Sequence, residues 1–326
     1  MRGKVPLRMR ILAALSPAPD WDSITPAQVI EYREALHRKR SSALVGLVTG
    51  RPDRGARITT HALELPGRRL DVRVYQPEQG GSGLPLIIAF HGGGFITGTP
   101  DQDDWLLSHV AANCPAVVAS VDYRLAPEHP VPAAVDDAYE ATDRLVAEAA
   151  RWGADPARTV VLGSSAGATL AALTSIRAAE LGTPLHAQVL INPQLDWTDS
   201  VFQFPSFTEN ADAPTATPAN CRAVKRIAIP ASFDPRTISP LRHDNLAGLP
   251  PALIQSAGLD TLEDQAPAFA ERLRQAGVDV TLTRYPRATH AFLSMSGVVP
   301  AAHPARAEIL TFLRSQLLEH SDAAAR

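Results

Sequence analysis

The sequence predicts an α/β fold built on an eight-stranded, mostly parallel sheet flanked by helices on both faces. Short continuous apolar runs, of which Pro85–Phe90 (PLIIAF) is the clearest, alternate along the chain with longer segments of helix-forming residues. Continuous apolar runs are typical of parallel strands that are covered on both sides. The alternation of strands and helices favours a doubly wound sheet, in which functional sites form at the carboxyl ends of the strands.

The N-terminal part of the chain predicts helices followed by a hairpin. The segment Thr25–Gln28 places a capping residue, a proline at the first helical position and a glutamine three residues after the cap, and a helix to about Arg40 follows. The strands Ile58–Leu65 and Leu70–Tyr75 are separated by Pro66-Gly67, which indicates an antiparallel pair.

The rest of the chain predicts six more strands separated mostly by helices. With Pro85–Phe90, the strands are Ala116–Val121, Thr159–Leu162, Ala187–Ile191, Ala252–Ser256 and Val278–Tyr285. The helices are Gln102–Asn113, Pro132–Ala150, a segment ending near Leu181, Asn220–Ile227, Leu262–Ala276 and Ala302–Leu318. Residues 198–235 interrupt this alternation. We therefore expect one catalytic domain made of N-terminal helices (1–50), core (51–197), insertion (198–235) and core (236–326).

Composition narrows the classes of function. The 326 residues are 45% hydrophobic and 20% charged, as in a soluble globular protein. A formal net charge of −3 gives no basis for nucleic-acid binding. The apolar run Ile11–Leu15 is too short for a signal peptide, and no stretch approaches the roughly 20 apolar residues of a membrane helix. We expect a cytoplasmic protein that does not bind membranes. Cys114 and Cys221 show no metal-ligand spacing, and no metal site is expected.

The segment Thr159–Leu170 (TVVLGSSAGATL) contains the first candidate catalytic residue. An apolar β-branched run meets Gly163-Ser164-Ser165-Ala166-Gly167, and helix-forming residues follow. Gly-X-Ser-X-Gly between a strand and a helix is the pattern of a nucleophile elbow, in which Ser165 would be exposed at a sharp turn. A serine hydroxyl needs a base, and the base needs an anionic partner.

His290 and Asp260 are the candidate base and acid. His290 lies in a loop after the strand that is expected to end at Tyr285, and Asp260 is the first carboxylate after Ala252–Ser256. Their order along the chain, Ser then Asp then His, is that of serine hydrolases with a nucleophile elbow. Glu263 and Asp264 are alternative acids, although acids in a first helical turn also favour the helix dipole. Asp260 could itself be a helix cap.

The segment His91-Gly92-Gly93-Gly94-Phe95 is the candidate oxyanion hole. It directly follows the strand Pro85–Phe90, and its glycines allow backbone N–H groups to face a developing negative charge. The residue after the nucleophile, Ala166, is expected to supply a further N–H group.

With these motifs the chain resembles the hormone-sensitive-lipase family of α/β-hydrolase esterases, of the bacterial type. The resemblance runs from about Leu84 to Phe292 and includes Val121–His129 (VDYRLAPEH) followed by Pro132-Ala133-Ala134. It implies the nucleophile Ser165, the acid Asp260 and the base His290. It also implies the oxyanion donors Gly93, Gly94 and Ala166, and a structural ion pair between Arg124 and Glu128. It further implies a helical cap, built from the N-terminal helices and the 198–235 insertion, that covers the site and shapes the substrate pocket.

The expected activity is hydrolysis of small-molecule esters with short to medium acyl chains, through an acyl-enzyme and without a cofactor. Aromatic and sulfur side chains are candidates for the substrate pocket, with ordinary core packing as the alternative for each: Phe95, Trp197, Phe202, Phe207 and Met295. An amidase, formamidase or deacetylase on the same residues remains an alternative, as does a ligand-binding protein without catalysis. A homodimer is suggested by the family resemblance alone.

Three positions depart from the family pattern. Ser164 stands where the family often has Asp, Thr261 where it commonly has Pro, and Ala291 where it usually has Gly. None of them removes an expected catalytic group, so the expected reaction class is unchanged.

Overall fold

A computed structural model describes residues 2–15, 18–40, 42, 45–183 and 185–317. In these ranges ten α-helices and eight strands form one α/β architecture. The strands are β1 (Ala56–Leu65), β2 (Arg68–Pro77), β3 (Leu84–Phe90), β4 (Val117–Val121), β5 (Ala154–Ser164), β6 (Ala187–Ile191), β7 (Ala252–Leu259) and β8 (Val280–Thr289). The helices are α1 (Leu7–Leu15), α2 (Pro26–Arg40), α3 (Gly46–Thr49), α4 (Asp104–Asn113), α5 (Ala133–Ala147), α6 (Ala166–Glu180), α7 (Pro205–Glu209), α8 (Pro218–Ala228), α9 (Gln265–Gln275) and α10 (Ala302–Leu317). The expected last residue of the final helix, Leu318, lies outside the described residues.

The eight strands form one sheet in the order β1-β2-β4-β3-β5-β6-β7-β8. β2 pairs antiparallel with both β1 and β4, and every other pair in the sheet is parallel. The predicted eight-stranded, mostly parallel sheet is confirmed. The carboxyl ends of β3, β5, β7 and β8 consequently lie along one edge, and the candidate catalytic segments follow these four strands.

Two apolar layers cover the two faces of the sheet. Along β3, Leu86, Ile88 and Phe90 belong to the layer that includes α5, α6 and α9, whereas Ile87 and Ala89 belong to the layer with α4 and α10. This alternation follows from the two-residue period of a strand. It explains why the strand is a continuous apolar run in the sequence.

The predicted N-terminal cap of α2 is present. The Gln28 N–H donates to Thr25 Oγ1 at 3.3 Å, and the Thr25 N–H donates to Gln28 Oε1 at 2.9 Å, so each residue satisfies a donor of the other. The helix then runs from Pro26 to Arg40, with the boundary expected from the sequence.

The strand β8 is longer than predicted and brings the candidate base to its end. It extends to Thr289, four residues beyond the expected end at Tyr285. Its pairing with β7 shifts register between Ala257 and Leu259. A Cβ atom at Gly258 would lie 2.7 Å from Pro286. Because glycine has no Cβ atom, Pro286 of the edge strand β8 can pack closely against β7 at this point.

Candidate active site

Ser165 occupies a strained turn between β5 and α6. Its backbone has φ 56° and ψ −118°, a left-handed conformation that a non-glycine residue rarely adopts. The flanking glycines make the turn possible, because a Cβ atom would lie 2.1 Å from the Gly167 oxygen at Gly163 and 2.0 Å from the Phe90 oxygen at Gly167. The backbone thus has the close strand–helix crossing expected of a nucleophile elbow.

Ser165, His290 and Asp260 form a continuous chain of hydrogen bonds. Ser165 Oγ lies 2.7 Å from His290 Nε2, and His290 Nδ1 lies 2.6 Å from Asp260 Oδ2. Because an ionised carboxylate can only accept, Nδ1 carries the proton and Nε2 is left to accept from the serine. The exposed fractions are 8% for Ser165, 9% for His290 and 1% for Asp260. The three side chains therefore interact away from bulk water.

The carboxylate of Asp260 is oriented by its own loop. Its Oδ1 accepts the Leu262 N–H at 2.9 Å, which leaves Oδ2 for the histidine. The Asp260 carbonyl accepts from the side-chain amide of Asn210 at 2.9 Å. Asn210 directly follows α7, so the insertion holds the acid loop, residues 260–264, in place.

The alternative acids take part in other contacts. Asp264 accepts from the Arg2 guanidinium at 2.6 Å and from the Ser206 N–H at 2.7 Å. Glu263 pairs with Arg2 at 2.9 Å and also with Arg284. Asp264 thus joins the N-terminal segment and the insertion to the acid loop, and Glu263 joins the N-terminal segment and β8 to it. Of these three acids, only Asp260 contacts His290 in the described structure.

In the glycine loop (residues 91–95), the carbonyl groups of His91 and Gly93 accept hydrogen bonds from protein donors. The Tyr123 hydroxyl donates to the His91 carbonyl at 2.7 Å. The Gly93 carbonyl accepts from the Ile96 N–H at 3.2 Å, the Thr97 N–H at 3.0 Å and the Thr97 hydroxyl at 3.1 Å. Among the described residues the N–H groups of Gly93 and Gly94 donate no hydrogen bond, and both glycines line the cavity that contains Ser165. Ala166 is the first residue of α6, so its N–H has no intrahelical acceptor.

His91 supports this loop as a neutral side chain. Its ring stacks on Tyr123 with the centroids 4.2 Å apart, and burial lowers the pKa of His91 to about 4. Nδ1 lies 3.0 Å from the Gly92 carbonyl oxygen and must donate to it. The imidazole is therefore part of the loop scaffold.

The prediction of an ion pair between Arg124 and Glu128 is wrong. Arg124 instead donates to the fully buried Asp137 on α5, from Nη2 to Oδ1 at 2.8 Å and from Nε to Oδ2 at 2.9 Å. Glu128 pairs with Arg33 on α2. The segment between β4 and α5 is not helical, so a spacing of four residues does not bring the two side chains together.

A cavity of about 480 Å³ opens above Ser165 and is lined mostly by apolar side chains. Of the expected pocket residues, Trp197, Phe202 and Met295 line it. Phe95 and Phe207 do not, which corrects the expectation for these two. Phe95 stacks behind Trp197 at 4.8 Å between ring centroids, and Phe207 packs behind Phe202 at 5.0 Å.

The family resemblance implies a cap over the site, but sequence reasoning did not identify the residues of the N-terminal helices and α8 that line the cavity. The lining residues from these segments include Met9, Leu12, Tyr32, Leu36, Arg40, Val48, Cys221 and Val224. Val224 packs against the glycine loop, since a Cβ atom at Gly94 would lie 2.8 Å from Val224 Cγ1.

Two of the three departures from the family pattern have a local structural consequence. Ala291 has φ 61°, a left-handed conformation that glycine adopts without strain. The Thr261 hydroxyl donates to the carbonyl of Ala216 in the insertion, so it links the acid loop to that segment. Ser164 is buried and lines the cavity, and nothing in the structure gives it a further role.

The described residues contain no cluster of three or more His, Cys, Asp or Glu side chains that could hold a metal ion. Within the same part of the chain, no helix has both the length and the apolar character needed to cross a membrane.

Comparison with known proteins identifies the family. Residues 87–294 match the sequence profile described as alpha/beta hydrolase fold. The esterase LipI of Mycobacterium tuberculosis is 40% identical over 265 residues, which are 79% of this chain and 82% of that protein. The chain belongs to the hormone-sensitive-lipase-like esterases of the α/β-hydrolase fold. The resemblance inferred from the motifs is confirmed, and membership of this family makes the protein a carboxylesterase.

Two further similar proteins match nearly the whole chain. The ethyl acetate hydrolase of Pseudomonas putida is 32% identical over 303 residues, 90% of this chain and 93% of that protein. The crystal structure of a thermostable esterase from Pseudomonas putida ECU1011 superposes with a TM-score of 0.85 at 28% identity, covering 97% of this chain and 99% of that one.

Proposed function

We propose that Ser165, His290 and Asp260 are the catalytic triad of this carboxylesterase and that the reaction passes through an acyl-enzyme. The observation that carries the proposal is the unbroken chain of hydrogen bonds, with distances of 2.7 and 2.6 Å, that ends at a strained serine in the wall of a cavity. This arrangement supplies a nucleophile, a base and an orienting anion in contact with one another.

In the first half of the reaction, Ser165 Oγ attacks the ester carbonyl carbon while His290 Nε2 takes the hydroxyl proton. The carbonyl electron pair moves to the oxygen and forms a tetrahedral oxyanion. Asp260 stays ionised, keeps the proton on His290 Nδ1 and stabilises the imidazolium that forms. The intermediate then collapses, the bond to the alcohol oxygen breaks, and His290 gives its proton to the leaving alcohol.

In the second half, water replaces the alcohol and repeats the same sequence on the acyl-enzyme. His290 takes a proton from the water, whose oxygen attacks the acyl carbon, and then returns the proton to Ser165 Oγ as the acid leaves. Two easier steps thereby replace one difficult step, and the serine is regenerated.

We assign the oxyanion hole to the N–H groups of Gly93, Gly94 and Ala166. The two glycine N–H groups lack acceptors among the described residues, and the Ala166 N–H is at the unsatisfied start of a helix. Donors that are already aligned need no reorganisation when the charge develops, and each contributes about 3 kcal/mol in comparable enzymes.

The substrate class that fits best is an ester with a short to medium acyl chain. The cavity of about 480 Å³ is within the size range of small-molecule pockets and is mostly apolar. Residues 1–50 and 198–235 are assigned as the cap, because both segments supply walls of the cavity and Val224 packs against Gly94 of the glycine loop. The ester named for one relative, ethyl acetate, is small and neutral, and a mostly apolar cavity of this size has room for it.

The proposal is tested with p-nitrophenyl esters from acetate to decanoate, on the wild type and on Ser165→Ala. We expect activity with a maximum at short or medium chains in the wild type and none above background in the variant. Wild-type rates in Ser165→Ala would refute the nucleophile. Matched anilides are assayed in parallel, and faster cleavage of the anilide than of the ester would indicate an amidase.

A further inference from the structure

The carbonyl oxygen of Gly92 is held by two donors. His91 Nδ1 lies 3.0 Å from it, and the side-chain amide nitrogen of Gln102 donates to it at 3.2 Å. Gln102 is 8% exposed and lines the cavity. It lies in the short 3-10 turn Pro100–Asp103 that leads into α4.

The position of this oxygen determines the direction of the next N–H group. In a trans peptide unit the C=O and N–H bonds point in opposite directions and lie in one plane. Because the Gly92 oxygen and the Gly93 nitrogen belong to the same unit, fixing the oxygen on the protein side aims the Gly93 N–H away from it. The Gly93 N–H donates to no group among the described residues and Gly93 lines the cavity containing Ser165, so we infer that this N–H faces the cavity.

The two donors are not equivalent. His91 is the neighbour of Gly92 in sequence, so its bond moves with the loop. Gln102 belongs to a different element, whose following residue Asp104 accepts from Arg73 Nε at 2.7 Å and from the Tyr75 hydroxyl at 2.7 Å on β2. The hydrogen bond from Gln102 therefore fixes the position of the glycine loop relative to the sheet.

We propose that Gln102 is a positioning residue for the oxyanion hole, because its side-chain amide holds the Gly92 carbonyl and thereby aims the Gly93 N–H at the substrate oxygen. The inference rests on the proposed function of the glycine loop. It adds a residue outside the His-Gly-Gly-Gly motif to the machinery that stabilises the transition state.

The variant Gln102→Met tests the proposal, since methionine has a similar length and no N–H donor. Gly98 packs closely against the Gly92 oxygen, because a Cβ atom at Gly98 would lie 2.1 Å from it. Methionine fills the space of the glutamine side chain, so little room is left there for a replacement water. We expect kcat to fall about tenfold with KM within about twofold, because the interaction acts on the transition state. Direct loss of a donor costs about 10²- to 10³-fold, and the effect here is smaller because His91 remains.

A trifluoromethyl ketone gives a readout that a general loss of structure would not produce. Its hemiketal with Ser165 places an oxyanion in the hole, so its Ki should rise in Gln102→Met by the same factor as kcat falls. The matched control is Gln188→Met, which removes a buried amide that donates to the Pro250 carbonyl at 3.3 Å outside the cavity lining. That control measures the folding cost of a lost amide and should keep the wild-type kcat.

A second variant, Gln102→Glu, keeps the test decisive if Gln102→Met does not fold. The ionised carboxylate repels the Gly92 oxygen, whereas the protonated form donates to it. We therefore expect the ratio of variant kcat to wild-type kcat to rise as the pH is lowered. Wild-type kcat in Gln102→Met, a loss confined to KM, or a pH-independent ratio in Gln102→Glu would overturn the inference. An inactive wild type would instead refute the proposed function.

Discussion

Replacing Asp260 with Asn tests the assignment of the acid, because the loop fixes how the amide must sit. In the wild type the Leu262 N–H donates to Asp260 Oδ1 at 2.9 Å, and Oδ2 accepts from His290 Nδ1 at 2.6 Å. An asparagine must keep its oxygen against the Leu262 N–H, since two donors would otherwise face each other. Its NH₂ group then faces His290 Nδ1.

The consequence is a change of tautomer in the catalytic histidine. With an NH₂ group opposite, Nδ1 becomes the acceptor and the proton moves to Nε2, which can no longer take the proton of Ser165. The same inversion in serine proteases lowers kcat about 10⁴-fold. We expect a loss of about 10³- to 10⁴-fold, which is about 4 to 5 kcal/mol of transition-state stabilisation.

The matched control is Asp264→Asn. Asp264 is also an aspartate and lies four residues after Asp260, but its carboxylate contacts Arg2 and Ser206. We expect its kcat to remain within about threefold of the wild type, because it removes no transition-state contact. Steady-state kinetics with p-nitrophenyl butyrate, together with circular dichroism to verify folding, measure both variants. A larger loss in Asp264→Asn, or retention of a tenth of the activity in Asp260→Asn, would refute the reasoning.

Three further predictions concern the elbow, a buried acid and the pocket. Gly167→Ala places a Cβ atom 2.0 Å from the Phe90 oxygen, so we expect a loss of about 3 kcal/mol or more in the free energy of unfolding, measured by urea titration. Burial raises the pKa of Asp103 to about 6 from an ordinary 3.8, so the stability contributed by its protonated form is present below pH 4 and lost as the pH rises through 6. Relative to the wild type, Asp103→Asn should therefore gain about 3 kcal/mol between pH 4 and pH 7, and equal pH dependence of the two proteins would contradict this. Phe202→Ala should shift the preferred acyl chain to longer esters, whereas Phe207→Ala should mainly cost about 3 to 5 kcal/mol of stability; identical chain-length profiles for Phe202→Ala and the wild type would contradict the pocket assignment.

The positions of the nucleophile and of the glycine loop could be predicted from local sequence patterns. Ser165 lies at a strand–turn–helix signal, and Gly93 and Gly94 directly follow a continuous apolar run. Backbone conformations of this kind are imposed by a few neighbouring residues, of which the glycines are the most restrictive. These patterns do not predict the distances between the Ser165, His290 and Asp260 side chains, because those distances depend on the register of β5, β7 and β8.

Contacts between side chains far apart in the sequence could not be predicted. The Arg124 guanidinium has five donors and binds whichever carboxylate the packing brings near, and Asp137 is brought near by α5. The walls contributed by Met9 and Val224 depend likewise on where the N-terminal helices and α8 lie over the sheet. The continuation of β8 through Pro286, beside Gly258, could not be predicted either, because a proline usually ends a strand.

The most direct test of the central claim is labelling with a fluorophosphonate, followed by peptide mass spectrometry. The serine oxygen displaces fluoride from phosphorus, so the reagent marks the activated nucleophile. We predict a single adduct on Ser165, with loss of esterase activity in proportion to labelling and no adduct in Ser165→Ala. An adduct on the adjacent Ser164, or full labelling of the protein without loss of activity, would contradict the assignment of Ser165 as the nucleophile.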